Sequence, residues 1–120
     1  MRKMRFAHVN LSVDDVEAAR RFYGEMLALE PAPRPADAGR PGCWFRLGEV
    51  EVHLSEEKGA GNAKSKRHVA FEVASTELDG IRSRLAQSGV AIEEARPIAG
   101  VRRFFARDPA GNRLEFFTPI

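Results

Sequence analysis

The chain has 120 residues, of which 43% are hydrophobic and 30% charged, and its formal net charge is +2. This composition is that of one globular domain with a buried core; it excludes a disordered chain, and no apolar run approaches the about 20 residues of a membrane-spanning helix. Basic residues are interleaved with acidic ones, so we expect neither a nucleic-acid nor a membrane partner. The chain has a single cysteine, Cys43, and its charged start is not followed by an apolar stretch, so we expect a cytoplasmic protein.

The first predicted strand has a second copy 60 residues later. His8–Val13 and residues 68–73 share a histidine and two valines at the same places, and both alternate polar and apolar residues as half-buried strands do. The sequence therefore predicts one domain of two related modules, residues 1–56 and 67–120. The polar stretch between them, with two glycines and no periodicity, is expected to be a connector.

In the first module, Asp14 is expected to cap a helix, with Glu17 as its capping-box partner. The apolar positions of that helix follow helical spacing: Val16, Ala19, Phe22, Tyr23, Met26 and Leu27. Pro31, Pro33 and Pro35 then indicate an extended or edge segment, since proline cannot donate to a central ladder. Residues 43–47 and 50–54 are predicted to form a hairpin that turns at Gly48 and Glu49.

The second module repeats this order. Ser75 is expected to cap a helix whose apolar stripe is Leu78, Ile81 and Leu85, and Gly89 to end it. Strands are predicted at residues 90–96, 102–107 and 112–118, with a turn at residues 108–111 between the last two. Each module is therefore βαβββ, a curved sheet with its helix on the outer face.

Strand alternation puts the chemically interesting side chains on the sheet faces turned away from the helices. His8, His53, His68 and Glu115 are predicted to share that side. Two imidazoles and a carboxylate on stiff strands are a ligand set typical of Fe(II) and compatible with Mn, Co, Ni or Zn, and open coordination positions would admit substrate.

The roles of single residues stay open at this point. His53 is either a fourth metal ligand or an acid–base group, and with Glu115 it is a candidate catalytic residue; a lone strand histidine is also compatible with a structural role. Glu51 and Glu72 are expected at the rim, facing solvent. Arg46, Arg103 and Phe105 are expected either to line the pocket or to lie on the surface. Trp44 is expected in the core or in a dimer interface, and Cys43 is not expected to act as a nucleophile because no base can be assigned beside it.

The motifs resemble those of the vicinal oxygen chelate superfamily, which includes glyoxalases, bleomycin-resistance proteins and extradiol dioxygenases. His8–Val13 followed by residues 20–23 and 27–29 is similar to its first module. Residues 67–73 and 108–116, with the more specific pattern His-Val-Ala-Phe and then Asp-Pro-x-Gly-Asn-x-Leu-Glu-Phe, are similar to its second. The resemblance spans the whole chain and implies an α+β fold in which two βαβββ modules form a curved mixed-sheet cup with helices outside.

The resemblance also implies a function. In that family the first strands of the modules and the last strand supply metal ligands, matching His8, His68 and Glu115, while glyoxalase-type members have a further ligand, commonly glutamate, at the place of His53. It implies a homodimer and a metal-dependent lyase, isomerase or oxygenase that chelates adjacent oxygens of a small molecule. The alternative is a metal-free protein that sequesters a small molecule, as bleomycin-resistance members do.

Overall fold

A computed structural model describes residues 3–120 of the chain. The chain divides into two compact units, Met1–Ala60 and Gly61–Ile120. The boundary lies inside the predicted connector, and each unit contains one four-stranded mixed sheet in the predicted βαβββ order. No helix within residues 3–120 has the length and apolar character needed to span a membrane.

The first unit has its strands in the spatial order β1-β4-β3-β2. Strand β1 runs parallel to β4, and the two remaining pairs are antiparallel, with the proline-containing β2 at the edge as predicted. The elements are β1 (His8–Val13), α1 (Val16–Arg21), a π-helical turn (Phe22–Met26), β2 (Glu30–Ala32), β3 (Gly42–Leu47) and β4 (Val50–Glu56).

The second unit repeats this arrangement in the order β5-β8-β7-β6, with β5 parallel to β8. Its elements are a short 3-10 turn (Asn62–Lys64), β5 (His68–Glu72), α2 (Leu78–Gln87), β6 (Glu93–Glu94), β7 (Val101–Arg107) and β8 (Arg113–Pro119). The predicted turn between β7 and β8 is present: the Gly111 amide donates to the Asp108 carbonyl at 2.9 Å, and Gly111 has φ +89°.

Both predicted helix caps are wrong. Asp15, not Asp14, caps α1, because its Oδ1 accepts from the amides of Glu17 and Ala18, whereas the Asp14 carboxylate accepts from the Gly59 amide. Ser75 lies in a turn before α2, which begins only at Leu78 and has no side-chain cap.

The predicted strand at residues 90–96 is reduced to the two residues of β6. The amide of Val90, the first residue of the predicted strand, cannot join the sheet because it donates to the Leu85 carbonyl. This bond closes the end of α2 around Gly89, whose φ of +86° suits a helix end. Pro97 follows the segment and restricts the other end.

The apolar strand faces and the helices form the cores. In the first unit the buried apolar side chains are Val13, Ala19, Phe22, Tyr23, Ala32, Cys43, Phe45, Val52 and Leu54. In the second they are Phe71, Leu78, Ile81, Leu85, Phe104, Phe105, Ala106, Leu114 and Phe116, of which Phe105 lies on the face turned away from α2. Because alternate residues of these strands are committed to the core, the intervening ones must lie on the opposite face, where every predicted site residue is found.

Candidate functional site

Three aromatic rings stack on the polar face of the first sheet. The His8 and His53 rings are stacked with centroids 4.1 Å apart, and the Trp44 indole lies parallel to His53 on a centroid distance of 3.7 Å. Strand register produces the stack, because Trp44 pairs with His53 across β3 and β4. His53 is buried and His8 exposed, so the stack presents His8 at its open end.

A carboxylate fixes the edge of the central ring. His53 Nε2 lies 2.9 Å from Glu51 Oε1, and Arg46 contacts the other oxygen of Glu51 at 3.2 Å. The hydrogen bond from His53 lowers the pKa of Glu51, against a smaller opposing effect of desolvation, and Arg46 lowers it further. An ionised carboxylate only accepts, so His53 Nε2 carries the proton in this bond. Glu51 is partly exposed, as a rim position predicts, but its carboxylate is also bonded to His53 and Arg46, whereas Glu72 is exposed as predicted.

In the second unit, histidine and carboxylate meet directly. His68 Nε2 lies 3.2 Å from Glu115 Oε1. The other ring nitrogen, Nδ1, lies 3.1 Å from the Lys66 carbonyl oxygen, which can only accept, so Nδ1 carries a proton. In the neutral ring Nε2 then presents its lone pair to a carboxylate oxygen, and two acceptors at this distance require a cation or a proton between them. A histidine whose far ring nitrogen is bonded to a backbone carbonyl is also common among metal-binding histidines.

Glu115 is held from its other side by Arg103. Arg103 Nη1 lies 3.8 Å from Glu115 Oε2, and the guanidinium is steadied by Phe105, whose centroid is 5.3 Å away, and by the Arg96 carbonyl at 3.3 Å from Nε. Arg103 therefore leaves Oε1 directed to His68. From the sequence alone, Arg103 is expected only as a pocket lining or a surface arginine, because the contact with Glu115 joins different strands.

Phe105 is the centre of the remaining contacts on this face. The His68 ring meets it edge-on at 5.3 Å, and the Arg113 guanidinium lies over it at 3.6 Å. Arg113 also forms an ion pair with Glu93 at 2.7 Å, and this hydrogen bond lowers the pKa of Glu93. Arginine stacking on a strand aromatic has no local sequence signature, and only the register, in which Phe105 pairs with Glu115, reveals it.

The structure groups the four predicted site residues as two pairs, His8 with His53 and His68 with Glu115. Within either unit taken by itself, the described residues contain no group of three His, Cys, Asp or Glu side chains that could hold a metal ion. Cys43 lies in the core of the first unit, where burial raises the pKa of its thiol, so it provides no exposed thiolate nucleophile. Trp44 lies outside the core, is partly exposed and is the outer ring of the stack, while its expected place in a dimer interface stays a prediction.

Comparison with known proteins places this geometry in a family. Residues 5–116 match the model of the Glyoxalase/Bleomycin resistance protein/Dioxygenase superfamily. A trivalent organoarsenical cleaving enzyme from Bacillus sp. (strain MD1) is 30% identical over 95% of this chain and 73% of its own length. Glutathione transferase FosA from Serratia marcescens is 29% identical over 90% of this chain and 76% of its own.

Solved structures agree with the sequence matches. A glyoxalase family protein from Bacillus anthracis superposes with a TM-score of 0.84 and 34% identity, covering 100% of both chains. The fosfomycin resistance protein FosX from Listeria monocytogenes has the same fold, with a TM-score of 0.82 and 18% identity over 100% of this chain and 94% of that one. The chain belongs to the glyoxalase/bleomycin resistance protein/dioxygenase superfamily.

Proposed function

We propose that this protein is a metal-dependent enzyme acting on a small molecule that carries adjacent oxygen atoms. The observation that carries the proposal is the His68–Glu115 pair, in which Nε2 and Oε1 lie 3.2 Å apart while Nδ1 is bonded to a backbone carbonyl. The pair has the chemistry of two ligands of Fe, Mn, Ni, Co or Zn, with His8 as the proposed third ligand.

When bound, such a metal acts as a Lewis acid toward oxygens of the substrate. The protein's own part begins with Glu115, whose second oxygen Arg103 engages. His68 is oriented by the Lys66 carbonyl, so both ligands are fixed before a cation arrives. His8 is held by stacking on His53.

We assign His53 an acid–base role in preference to that of a fourth ligand. Its Nε2 is bonded to Glu51, and its ring faces are covered by His8 and Trp44. An imidazole paired with a carboxylate can hold or move a proton at Nε2, with Glu51 orienting it. In this role His53 would exchange a proton with the substrate, and the metal ligands would be other residues.

Metal retention tests the proposal. Protein made without a histidine tag is dialysed against each of the five metals, and its metal content is measured by mass spectrometry. We expect about one ion per chain for the preferred metal, lost in His68→Ala and kept in His53→Gln. Protein that takes up none of the five would contradict the proposal and favour metal-free sequestration of a small molecule.

A reaction screen follows with the loaded protein. Hemithioacetals, catechols and epoxides represent the reaction types of the superfamily, and a trivalent organoarsenical is added because one relative is named for cleaving it. Turnover that His53→Gln reduces while metal content is unchanged would support the acid–base assignment. Equal turnover in the variant would exclude it.

We further propose that the protein works as a homodimer, as the family resemblance implies, and that it is cytoplasmic, which its single cysteine fits. The His8→Ala and Glu115→Ala proteins are unfolded, mixed and refolded together. This experiment tests whether the metal ligands come from two copies of the chain. If the site takes ligands from two chains, the mixture regains metal that neither variant binds alone. No recovery in a mixture shown to contain hybrid dimers would place all three ligands in one chain, and an absence of dimers altogether would contradict the proposed assembly.

A further inference from the structure

A second feature of the first unit lies beside the ring stack. It is a pocket of about 250 Å³ lined by Asn10, Arg34, Ala38, Arg40, Trp44, His53 and Ser55. Its volume is below the roughly 300–1,000 Å³ of pockets for drug-sized ligands, so it suits a compact molecule. Trp44 and His53 give it an aromatic wall that continues to His8.

The charge of the lining is one-sided. Two of the seven lining residues are arginines, and none is an Asp or a Glu. Neither arginine forms an ion pair with a carboxylate among residues 3–120. Glu51, the nearby acid of the same sheet face, is already bonded to His53 and Arg46. The pocket is therefore positive and selects against cations.

The Arg34 guanidinium is only partly hydrogen-bonded within the chain. Its Nη2 donates to the Arg40 carbonyl, which fixes the guanidinium, but its Nε is buried and has no hydrogen-bond partner among the described residues. A buried charged donor left without an acceptor is costly, and it is a feature that the rest of a fold normally satisfies. Arg40, by contrast, is exposed and reaches only the Glu56 carbonyl, at 3.5 Å.

The neutral side of the pocket is organised as well. Ser55 Oγ donates to Asn10 Oδ1 at 3.0 Å, which leaves the Asn10 amide N–H groups as donors. Guanidinium and amide donors beside an indole match a ligand with an oxyanion at one end and a small flat or apolar body at the other.

We propose that this pocket binds the oxyanion group of a small organic acid, a carboxylate or a phosphonate, through Arg34 and Arg40. That this acid is the substrate of the enzyme rests on the proposed function, since His53 belongs to both the pocket and the ring stack. Anion binding itself requires no metal, so it is measured on protein stripped with a chelator, and its failure is separate from failure of the metal site.

The probes are benzoate and phenylphosphonate, with neutral benzamide as the matched control. Trp44 is the only tryptophan of the chain and lines the pocket, so its fluorescence reports occupancy directly. We expect saturable quenching by at least one of the two acids, weakened by added salt, and none by benzamide. Binding by neither acid, or equal binding of benzamide, would overturn the proposal.

Substitutions locate the binding. Arg34→Gln and Arg40→Gln are each expected to weaken the acid by about tenfold or more, since each removes a charge-assisted donor. Arg5→Gln is the control, because Arg5 is an exposed arginine of the same unit that donates to the Glu49 carbonyl and does not line the pocket. If Arg34→Gln fails to fold, as judged by circular dichroism, the exposed Arg40 still decides. Arg40→Gln binding as tightly as Arg5→Gln would overturn the proposal.

Discussion

The two units fill equivalent places on their sheets with different chemistry. His8 and His68 begin the first strand of each sheet, and an aromatic residue of the third strand, Trp44 or Phe105, pairs with the candidate residue of the last strand. That last residue is His53 in the first unit and Glu115 in the second. The residue at this one position, histidine or glutamate, therefore accompanies either an aromatic stack or a histidine–carboxylate pair.

The difference shows how one residue directs its neighbours. An imidazole at this position offers two flat faces, and both His8 and Trp44 stack on it. A carboxylate offers charge and acceptor atoms, so Glu115 draws His68 and Arg103 to its edge, and the aromatic Phe105 takes the guanidinium groups instead. The second unit thus has a histidine–carboxylate pair, and the first has an exposed imidazole stacked on a buried imidazole that is bonded to Glu51.

The largest expected effect comes from breaking the pair in the second unit. Glu115→Gln keeps the shape but removes the charge, and we expect metal affinity to fall by about 100-fold or more. Glu72→Gln is the matched control, since Glu72 lies on the same sheet face but is exposed. Calorimetric titration with the preferred metal measures both. Similar affinities for the two variants would remove Glu115 from the ligand set.

The converse change makes the first unit resemble the second. His53→Glu puts a carboxylate in a buried position beside Glu51, whereas His53→Gln puts a neutral amide there. We expect the Glu variant to be less stable than the Gln variant by about 1–3 kcal/mol at neutral pH, because the like charges repel and one is buried. The gap should narrow on acidification, as the raised pKa of the new carboxyl lets it take up a proton.

Urea unfolding of both His53 variants at several pH values measures this gap. Equal stability throughout would mean that the first sheet accepts a carboxylate as readily as the second, and the contrast between the units would then not follow from this position.

The helices allow a smaller test of the same contrast. Asp15 caps α1 with two hydrogen bonds, whereas α2 has no side-chain cap at Glu77. Asp15→Ala should therefore lower the free energy of unfolding by about 1 kcal/mol, and Glu77→Ala should leave it nearly unchanged. Urea denaturation decides between them. A loss at Glu77 as large as at Asp15 would contradict the capping assignment.

The smallest effect concerns pH. Bonding to His53 lowers the pKa of Glu51 below its ordinary value of 4.5, so the ionised carboxylate stabilises the fold above that pH and the contribution disappears as the pH falls. The stability difference between the wild type and Glu51→Gln should be constant near neutrality and shrink below about pH 4.5. If this stability difference stayed the same in acid, the ionised Glu51 carboxylate would not stabilise the fold through its bond to His53.

Glu93 provides the parallel in the second unit. Its pKa is lowered by the Arg113 ion pair, so Glu93→Gln should show the same dependence on pH. Because the Glu93 side chain is more exposed than that of Glu51, salt should reduce its effect on stability more.

Much of the fold could be predicted from the sequence, since burial of alternate residues imposes a pattern. The bounds of β1, the stripe of Leu78, Ile81 and Leu85 and the turn at Gly111 follow from period and turn chemistry and are confirmed. The helix starts could not be predicted, because Asp14 and Asp15 are equally good caps locally and the Gly59 amide, distant in sequence, engages the first. The length of β6 could not be predicted either, because the Val90 amide donates to a carbonyl at the end of α2 and not to a neighbouring strand.

For the candidate site, the sequence predicts only the sheet face on which each residue lies. Alternation assigned His8, His53, His68 and Glu115 to the polar faces, but which side chains touch depends on strand register. The bond from His53 to Glu51, the Arg103 contact with Glu115 and the stacking of Trp44 all arise across strands, between residues that no local motif connects.

An anomalous-difference map from crystals of the manganese-loaded protein would show which residues hold the metal. We expect a single strong peak within coordinating distance, about 2.0–2.3 Å, of an imidazole nitrogen of His8, His68 Nε2 and a Glu115 oxygen, from one chain or two. A peak bound elsewhere, or full manganese occupancy without His68 and Glu115 as ligands, would contradict it.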